Sequence, residues 1–174
     1  VMRLVGSEMC IRDRKYKVIG IDNFLTGSLK NIEHNFNNKN FVFIEHDICN
    51  KITVKDKIDF ILHFASPASP KDYLKFPIKT LRIGSLGTEN VLKLGLKNKS
   101  TVLLASTSEI YGDPLVHPQS EDYFGNVNTV GPRSVYDEAK RYLEALATAY
   151  KNKKKLDIRI VRIFNTFGPR MRVN

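Results

Sequence analysis

Cysteine is scarce, with only Cys10 and Cys49 in 174 residues. Two thiols cannot build the disulfide framework of a small secreted domain, so a reducing compartment is the expected setting. Histidine is almost as scarce, and His34, His46, His63 and His117 lack the short spacing of a metal-ligand set. No metal site is expected. Long hydrophobic runs are missing too: no stretch approaches the ~20 apolar residues of a membrane span. Nothing in these residues resembles a secretory signal, and the first of them are not expected to be the native start. Acidic residues are outnumbered, 18 against 28 Lys and Arg, for a formal net charge of +10. That excess raises the question of nucleic acid. The lysines, however, are spread over residues 51–57, 93–99 and 151–155. These are expected helix ends and loops, where solvated cations are ordinary and suit helix C-termini. No nucleic-acid motif accompanies them, so no nucleic-acid partner is expected. A basic face does suit an anionic substrate such as a nucleotide diphosphate.

What is present reads as one globular core, with 42% hydrophobic and 26% charged residues. Short β-branched runs mark strands at Lys17-Val-Ile-Gly-Ile-Asp22, Phe41-Val-Phe-Ile-Glu45, Phe60-Ile-Leu-His-Phe64, Thr101-Val-Leu-Leu-Ala105 and Ile158-Arg-Ile-Val-Arg-Ile163. A helical pattern runs from about Ile78 to Lys97, with Leu81, Leu86, Leu92 and Leu96 among its apolar positions. A second runs from about Ser134 to Lys151, with Ala139, Leu143, Leu146 and Ala147 on one face. Strands alternating with helices imply parallel pairing and right-handed crossovers. The expected class is α/β, a Rossmann-like doubly wound parallel sheet. In such sheets ligands bind beyond the carboxyl ends of the strands.

The unusual segments all follow strand ends. Asp22 closes the first strand, where an acidic side chain can bond the ribose hydroxyls of a dinucleotide; a turn cap explains it equally well. The stretch Asp22-Asn-Phe-Leu-Thr-Gly27 has no arginine to welcome a 2′-phosphate, which favours NAD over NADP. Asp47-Ile48 closes the second strand and is placed either to flank an adenine or simply to turn the chain. Phe64-Ala-Ser-Pro-Ala-Ser-Pro70 offers small residues that admit a cofactor, or a proline-stiffened loop. Tyr136 and Lys140 are four apart, on one helical face. A lysine ammonium beside a phenol lowers the tyrosine pKa from ~10 towards a usable base. That spacing alone is common on helix surfaces. Its context is Thr107-Ser-Glu-Ile-Tyr-Gly112, directly after a strand. There Thr107 can share a hydroxyl proton with Tyr136 and Glu109 can act as acid or base. A Ser/Thr turn followed by an acidic cap reads the same residues structurally.

In this order the segments resemble the extended short-chain dehydrogenase/reductase family. The longer strings resemble its UDP-glucuronate decarboxylases: His63-Phe-Ala-Ser-Pro-Ala-Ser-Pro70, Leu104-Ala-Ser-Thr-Ser-Glu-Ile-Tyr-Gly-Asp-Pro114, His117-Pro-Gln-Ser-Glu-Asp-Tyr123 and Ile163-Phe-Asn-Thr-Phe-Gly-Pro-Arg-Met171. The resemblance implies conversion of UDP-glucuronate to UDP-xylose through a 4-keto sugar, with NAD used catalytically. Tyr136, Lys140, Thr107, Ser108 and Glu109 would be the reacting set. Asp22, Asn23, Thr26, Gly27, Asp47, Ile48, Ser66, Ala105, Tyr136, Lys140 and Thr166 would hold NAD. Arg82, Asn90, Tyr150 and Asn165 would touch the UDP-sugar. A homodimer of the complete protein is also implied, built on the two long helices, whose apolar faces serve equally as internal core. Sugar 4,6-dehydratases typically carry Asp at the position of Ser108. An aspartate there would repel a substrate carboxylate, so Ser108 favours decarboxylation. A dTDP-glucose 4,6-dehydratase and a UDP-sugar 4-epimerase are the alternatives within the family. A non-catalytic basic module, recognised by salt-dependent polyanion binding, is the alternative outside it.

One family feature is missing. The family opens on a strand and a Gly-x-x-Gly-x-x-Gly turn at a helix N-terminus that holds the pyrophosphate, whereas residues 1–14 contain only Gly6. Residues 1–14 are therefore expected to be a non-native leader resembling translated adapter sequence. Residues 15–174 are expected to be a partial NAD-binding domain that stops before the small substrate domain. On that reading the chain alone lacks decarboxylase activity. The compartment follows as cytoplasm, or as Golgi lumen if a missing N-terminal anchor preceded it.

Overall fold

Short β-branched runs bounded by turn formers become strands: β1 Val18–Asp22, β2 Phe41–Glu45, β3 Phe60–His63, β4 Thr101–Thr107 and β5 Ile158–Ile163. The structure, a computed structural model, describes residues 16–167. Residues 1–14, and the Gly168-Pro-Arg170 end of the last motif, lie outside them. Every strand pair is parallel. β1 aligns Val18 with Phe41, β3 aligns Phe60 with Thr101, and β4 aligns Val102 with Ile158. The expected single sheet is divided among the described residues into β1-β2 and β3-β4-β5. One apolar core still spans both, joining Ile21 and Ile48 to Ile61, Leu104 and Ile158. β4 is paired on both edges, and its Val102 and Leu104 are fully buried, as expected for a covered parallel strand.

The helices depart from the sequence reading in three places. The second half of the Ala-Ser-Pro stretch is not a loop but the start of helix α1, Pro70–Lys75. Ser69 caps it, accepting from the Asp72 N–H at 3.3 Å, and Pro70 takes the first helical position. Proline is tolerated there because its missing N–H would have had no partner.

The single long helix expected from about Ile78 to Lys97 is a run in three parts: α2 Pro77–Arg82, a π-helical turn Ile83–Gly87, and α3 Thr88–Asn98. The wide turn is drawn where two glycines permit close approach. A Cβ on Gly84 would lie 2.8 Å from the Ala139 backbone oxygen, and one on Gly87 would lie 2.9 Å from Ile48 Cδ1. An inserted residue rotates everything after it by about 100°. Leu92 is accordingly sealed while Leu81 and Leu86 stay 41% and 45% exposed.

Helix α4, Ser134–Lys154, runs past its expected end. It buries Ala139, Leu143 and Ala147 in the core, and ends on Lys151, Lys153 and Lys154 against the negative end of its dipole. No described helix is long and apolar enough to cross a membrane.

Candidate active site

The carboxyl ends of β1, β2 and β3 open on a cleft of ≈ 480 Å³. It gathers Asp22, Asn23, Thr26, Asp47, Ile48 and Ser66, all expected on sequence grounds, with His46, which was not. Gly27 adjoins Thr26 in the chain. Its floor is apolar, with Ile21, Leu25, Ala65 and Ile83. The turn readings of Asp22 and Asp47 are also realised. Asp22 Oδ1 accepts the Phe24 N–H at 2.7 Å, and Asp47 Oδ1 accepts the Cys49 N–H at 2.9 Å. Burial alone would raise the Asp47 pKa. Hydrogen bonds from Cys49 and Asn23, with the charge of Lys79, outweigh it and hold the carboxyl below its usual range. Burial, reinforced by Asp47, pushes the Cys49 thiol up to about 11, which leaves it unreactive.

β4 delivers the second half of the site. It ends at Thr107, whose hydroxyl accepts the Glu109 N–H at 3.3 Å and caps the short helical turn Ser108–Tyr111. The same hydroxyl hydrogen-bonds Tyr136 from the first turn of α4. Lys140, one turn on, is buried, and its ammonium donates to the Ala105 carbonyl at 2.7 Å while lying 5.7 Å from the Tyr136 ring centre. Tyr136 is stacked on Tyr73 of α1, with centroids 5.0 Å apart and planes 9° from parallel. Thr107, Tyr136, Lys140 and Ala105 thus meet as expected. Ser108 stands beside them, half-buried.

The expected charge balance is corrected. Burial raises the Tyr136 pKa, and the Thr107 hydrogen bond only partly offsets that. Lys140 does not lower it, because its ammonium is committed to Ala105 beneath the ring. The resting phenol is protonated. Lys140 is itself pulled down to about 8 by burial.

A pH dependence follows from that value. Below about pH 8 both folded and unfolded chains hold the proton, and the cost of burying the cation is felt in full. Between about 8 and 10.5 the unfolded chain binds more proton, so stability should rise with pH. Cys49 and Tyr136 act in the opposite sense, above about 9 and about 10 respectively, because burial raises both. Urea midpoints should therefore rise between about pH 7.5 and about pH 8.5 for the wild type, and stay nearly level for Lys140→Met. Equal slopes in both proteins would overturn the assignment.

Three neighbours escaped the sequence reading. Tyr73 supplies the ring beneath Tyr136; its position follows from the Ser69-Pro70 helix start, which is legible as a capping signal. Arg133 pairs with Glu109. Asp137 is buried with its Oδ1 unpartnered, and burial raises its pKa. Both flank Tyr136 in the sequence, but their direction is set by packing.

The loop between the turn and α4 is pinned from below. Arg162 of β5 grips Glu144 with two bonds, at 3.1 and 2.9 Å, and donates to the Tyr111 hydroxyl at 2.8 Å and the Glu121 carbonyl at 2.9 Å. Arg141 donates to the Ile110 and Phe124 carbonyls at 2.8 and 2.9 Å. These fork-like contacts fix the backbone that follows Glu109.

The residues expected to touch the substrate, and Thr166, expected to touch the cofactor, lie apart from the Thr107–Tyr136–Lys140 cluster. Asn90 spends its amide on the Ile48 and Asn50 carbonyls, at 2.9 and 3.1 Å, and so supports the cleft wall. Tyr150 donates to Glu89 at 3.3 Å. It lies fourteen residues along α4 from Tyr136 (150 − 136), about 21 Å at ~1.5 Å per residue. Arg82 is exposed on α2, on the side of Cys49, while Asn165 and Thr166 are exposed beyond β5. Among the described residues no three His, Cys, Asp or Glu side chains are grouped as a metal site.

Known proteins are similar to this chain in sequence and in architecture. UDP-glucuronic acid decarboxylase 1 of Xenopus tropicalis is 49% identical over 91% of this chain and 37% of its own length. UDP-glucuronic acid decarboxylase 6 of Arabidopsis thaliana is 46% identical over 98% of this chain and 50% of its own. The chain thus spans half or less of the length of these relatives. The structure of UDP-glucuronic acid 4-epimerase from Bacillus cereus in complex with NAD superposes with a TM-score of 0.77 at 28% identity, over 97% of this chain and 56% of that one. The model of the GDP-mannose 4,6 dehydratase family matches residues 6–174, and the chain belongs to that family.

Proposed function

We propose that the protein carrying this sequence converts UDP-glucuronate to UDP-xylose and carbon dioxide, with NAD as a cofactor returned oxidised. The observation that carries this reading is the Tyr136 hydroxyl held by Thr107 at a strand end, with Lys140 beneath it. The relatives named above supply the substrate. The cleft fits the adenosine half of NAD: its floor is apolar, Asp22 stands at the end of β1, and among the described residues no arginine lines it to receive a 2′-phosphate. NAD there would accept a hydride from the sugar and give it back.

The chain's own residues do the rest. Tyr136 and Thr107 share the proton of the C4 hydroxyl as the C4 ketone forms. That ketone lies β to the C6 carboxylate, so electrons released by loss of carbon dioxide delocalise onto it. Glu109, two residues from Thr107, serves the return of a proton at C5. Ser108 hydrogen-bonds near C6 without adding a charge that would repel the carboxylate. Ile78, Leu81, Leu86 and Tyr142, exposed on packed helices, support pairing with a second copy.

The test is a mass-resolved incubation of the purified full-length protein that carries this sequence with UDP-glucuronate and NAD. A UDP-pentose and carbon dioxide are expected, without accumulation of reduced cofactor. A 4-keto-6-deoxy sugar formed from dTDP-glucose would replace this reading with a dehydratase. A hexuronate isomer of unchanged mass would replace it with an epimerase.

A further inference from the structure

Lys140, Arg141, Arg162 and Arg133 are cations on or beside the segments that carry Tyr136 and Glu109, and the first three are already committed. Lys140 is buried on the Ala105 carbonyl. Arg141 holds the Ile110 and Phe124 carbonyls, and Arg162 holds Glu144 and Tyr111. Arg133 differs. Its backbone carbonyl accepts the Tyr136 N–H at 3.0 Å, which fixes it at the head of α4. Its guanidinium pairs with Glu109, and its charge also reaches the phenol of Tyr73 and the carboxyl of Asp137. The guanidinium thus reaches Tyr73 and Asp137, the two groups whose charges in turn reach the Tyr136 hydroxyl. The Arg133 side chain is 56% exposed and that of Glu109 27% exposed. An ion pair so wet is weak and readily exchanged.

Building on the function proposed above, we infer that Arg133 selects a sugar bearing a C6 carboxylate, by exchanging its partner from Glu109 to the substrate. The physical basis is symmetry of charge: a carboxylate arriving on the sugar offers the guanidinium the same two oxygens that Glu109 offers. A neutral hydroxymethyl at C6 offers nothing in return for breaking the resident pair. Selection thus comes from an internal competitor that only an anionic sugar displaces. The exchange also frees Glu109, so that the acid–base group becomes available only when a carboxylate is seated.

UDP-glucuronate and UDP-glucose differ at C6 alone, so their affinities, measured by calorimetry with NAD present, isolate the effect. The wild type should prefer UDP-glucuronate. Arg133→Gln should lose about tenfold of that preference with UDP-glucose binding unchanged, as expected for a partly exposed charged contact. Arg133→Lys should keep part of it, because the charge remains while the fork is lost. Glu109→Gln should strengthen UDP-glucuronate binding and leave UDP-glucose binding alone, a gain that a damaged fold cannot mimic. Rising salt should erode the preference. Full preference retained in Arg133→Gln, or no gain in Glu109→Gln, overturns the inference while the decarboxylase reading stands. A wild type that binds neither sugar, or binds both alike, overturns the decarboxylase reading and this inference with it.

Discussion

Replacing Tyr136 with phenylalanine should lower turnover of UDP-glucuronate by about 10²-fold or more, while NAD affinity stays nearly unchanged. The substitution removes one oxygen. The phenyl ring still stacks on Tyr73, and Lys140 still rests on Ala105, because neither contact uses the hydroxyl. What is lost is the hydrogen bond to Thr107, and with it the route by which the C4 proton leaves. The resting phenol is protonated, so the group works by sharing a proton along the Thr107–Tyr136 bond. It is not a standing phenolate. A concerted transfer of that kind has no substitute once the oxygen is gone. Calorimetric titration of NAD and a turnover assay on the same preparation give the answer. Turnover within a few-fold of wild type would remove Tyr136 from the reaction. A parallel loss of NAD affinity would instead make its role structural.

Much of this arrangement was legible in the sequence, and the exceptions share a cause. The strands were readable because buried parallel strands demand continuous β-branched runs, and β2 and β5 fall on the expected residues. Tyr136 and Lys140 were readable because helical geometry alone places them on one face. Helix α1 was obscured by its prolines, which suggest a loop until Ser69 is recognised as the cap. The π turn at Ile83–Gly87 had no periodic signature, since one inserted residue leaves each flanking pattern intact and changes only their relative phase. The charge state of Tyr136 was not legible at all. It depends on how deeply α1 and α4 bury the phenol, which neighbours along the chain do not determine. Asn90 and Tyr150 show the same limit. Their types suit substrate contact, but packing turned them to the Ile48 carbonyl and to Glu89.

Gly84→Val should destabilise the fold by about 2 kcal/mol, an overpacking cost, and disturb the site without touching a reacting group. Substituting glycine inside a helical run normally gains stability, up to about 1 kcal/mol for alanine. Here the gain is outweighed. A Cβ at Gly84 meets the Ala139 Cβ and backbone oxygen at 2.8 Å and its Cα at 3.0 Å. No side-chain rotation relieves contact with a backbone, so the π turn and α4 must move apart. Valine adds two methyl groups to the same gap. Ala139 is the residue immediately before Lys140 and three after Tyr136, so α4 yields at the point where both are held. The Lys140 bond to Ala105 and the Tyr136 bond to Thr107 should lengthen together. The unfolding temperature should fall by roughly 5 °C for a chain of this size. Turnover should fall with it, and part of that loss should persist well below the unfolding temperature, because displacement of a reacting group by a fraction of an ångström is costly on its own. Gly84→Ala should show the same pattern with a smaller stability loss. Thermal unfolding followed by circular dichroism, with turnover measured at low temperature, separates the two effects. An unchanged unfolding temperature in Gly84→Val would mean that the π turn and α4 are not in the close contact described. A stability loss with full low-temperature turnover would mean that the spacing of these helices does not set the position of Tyr136.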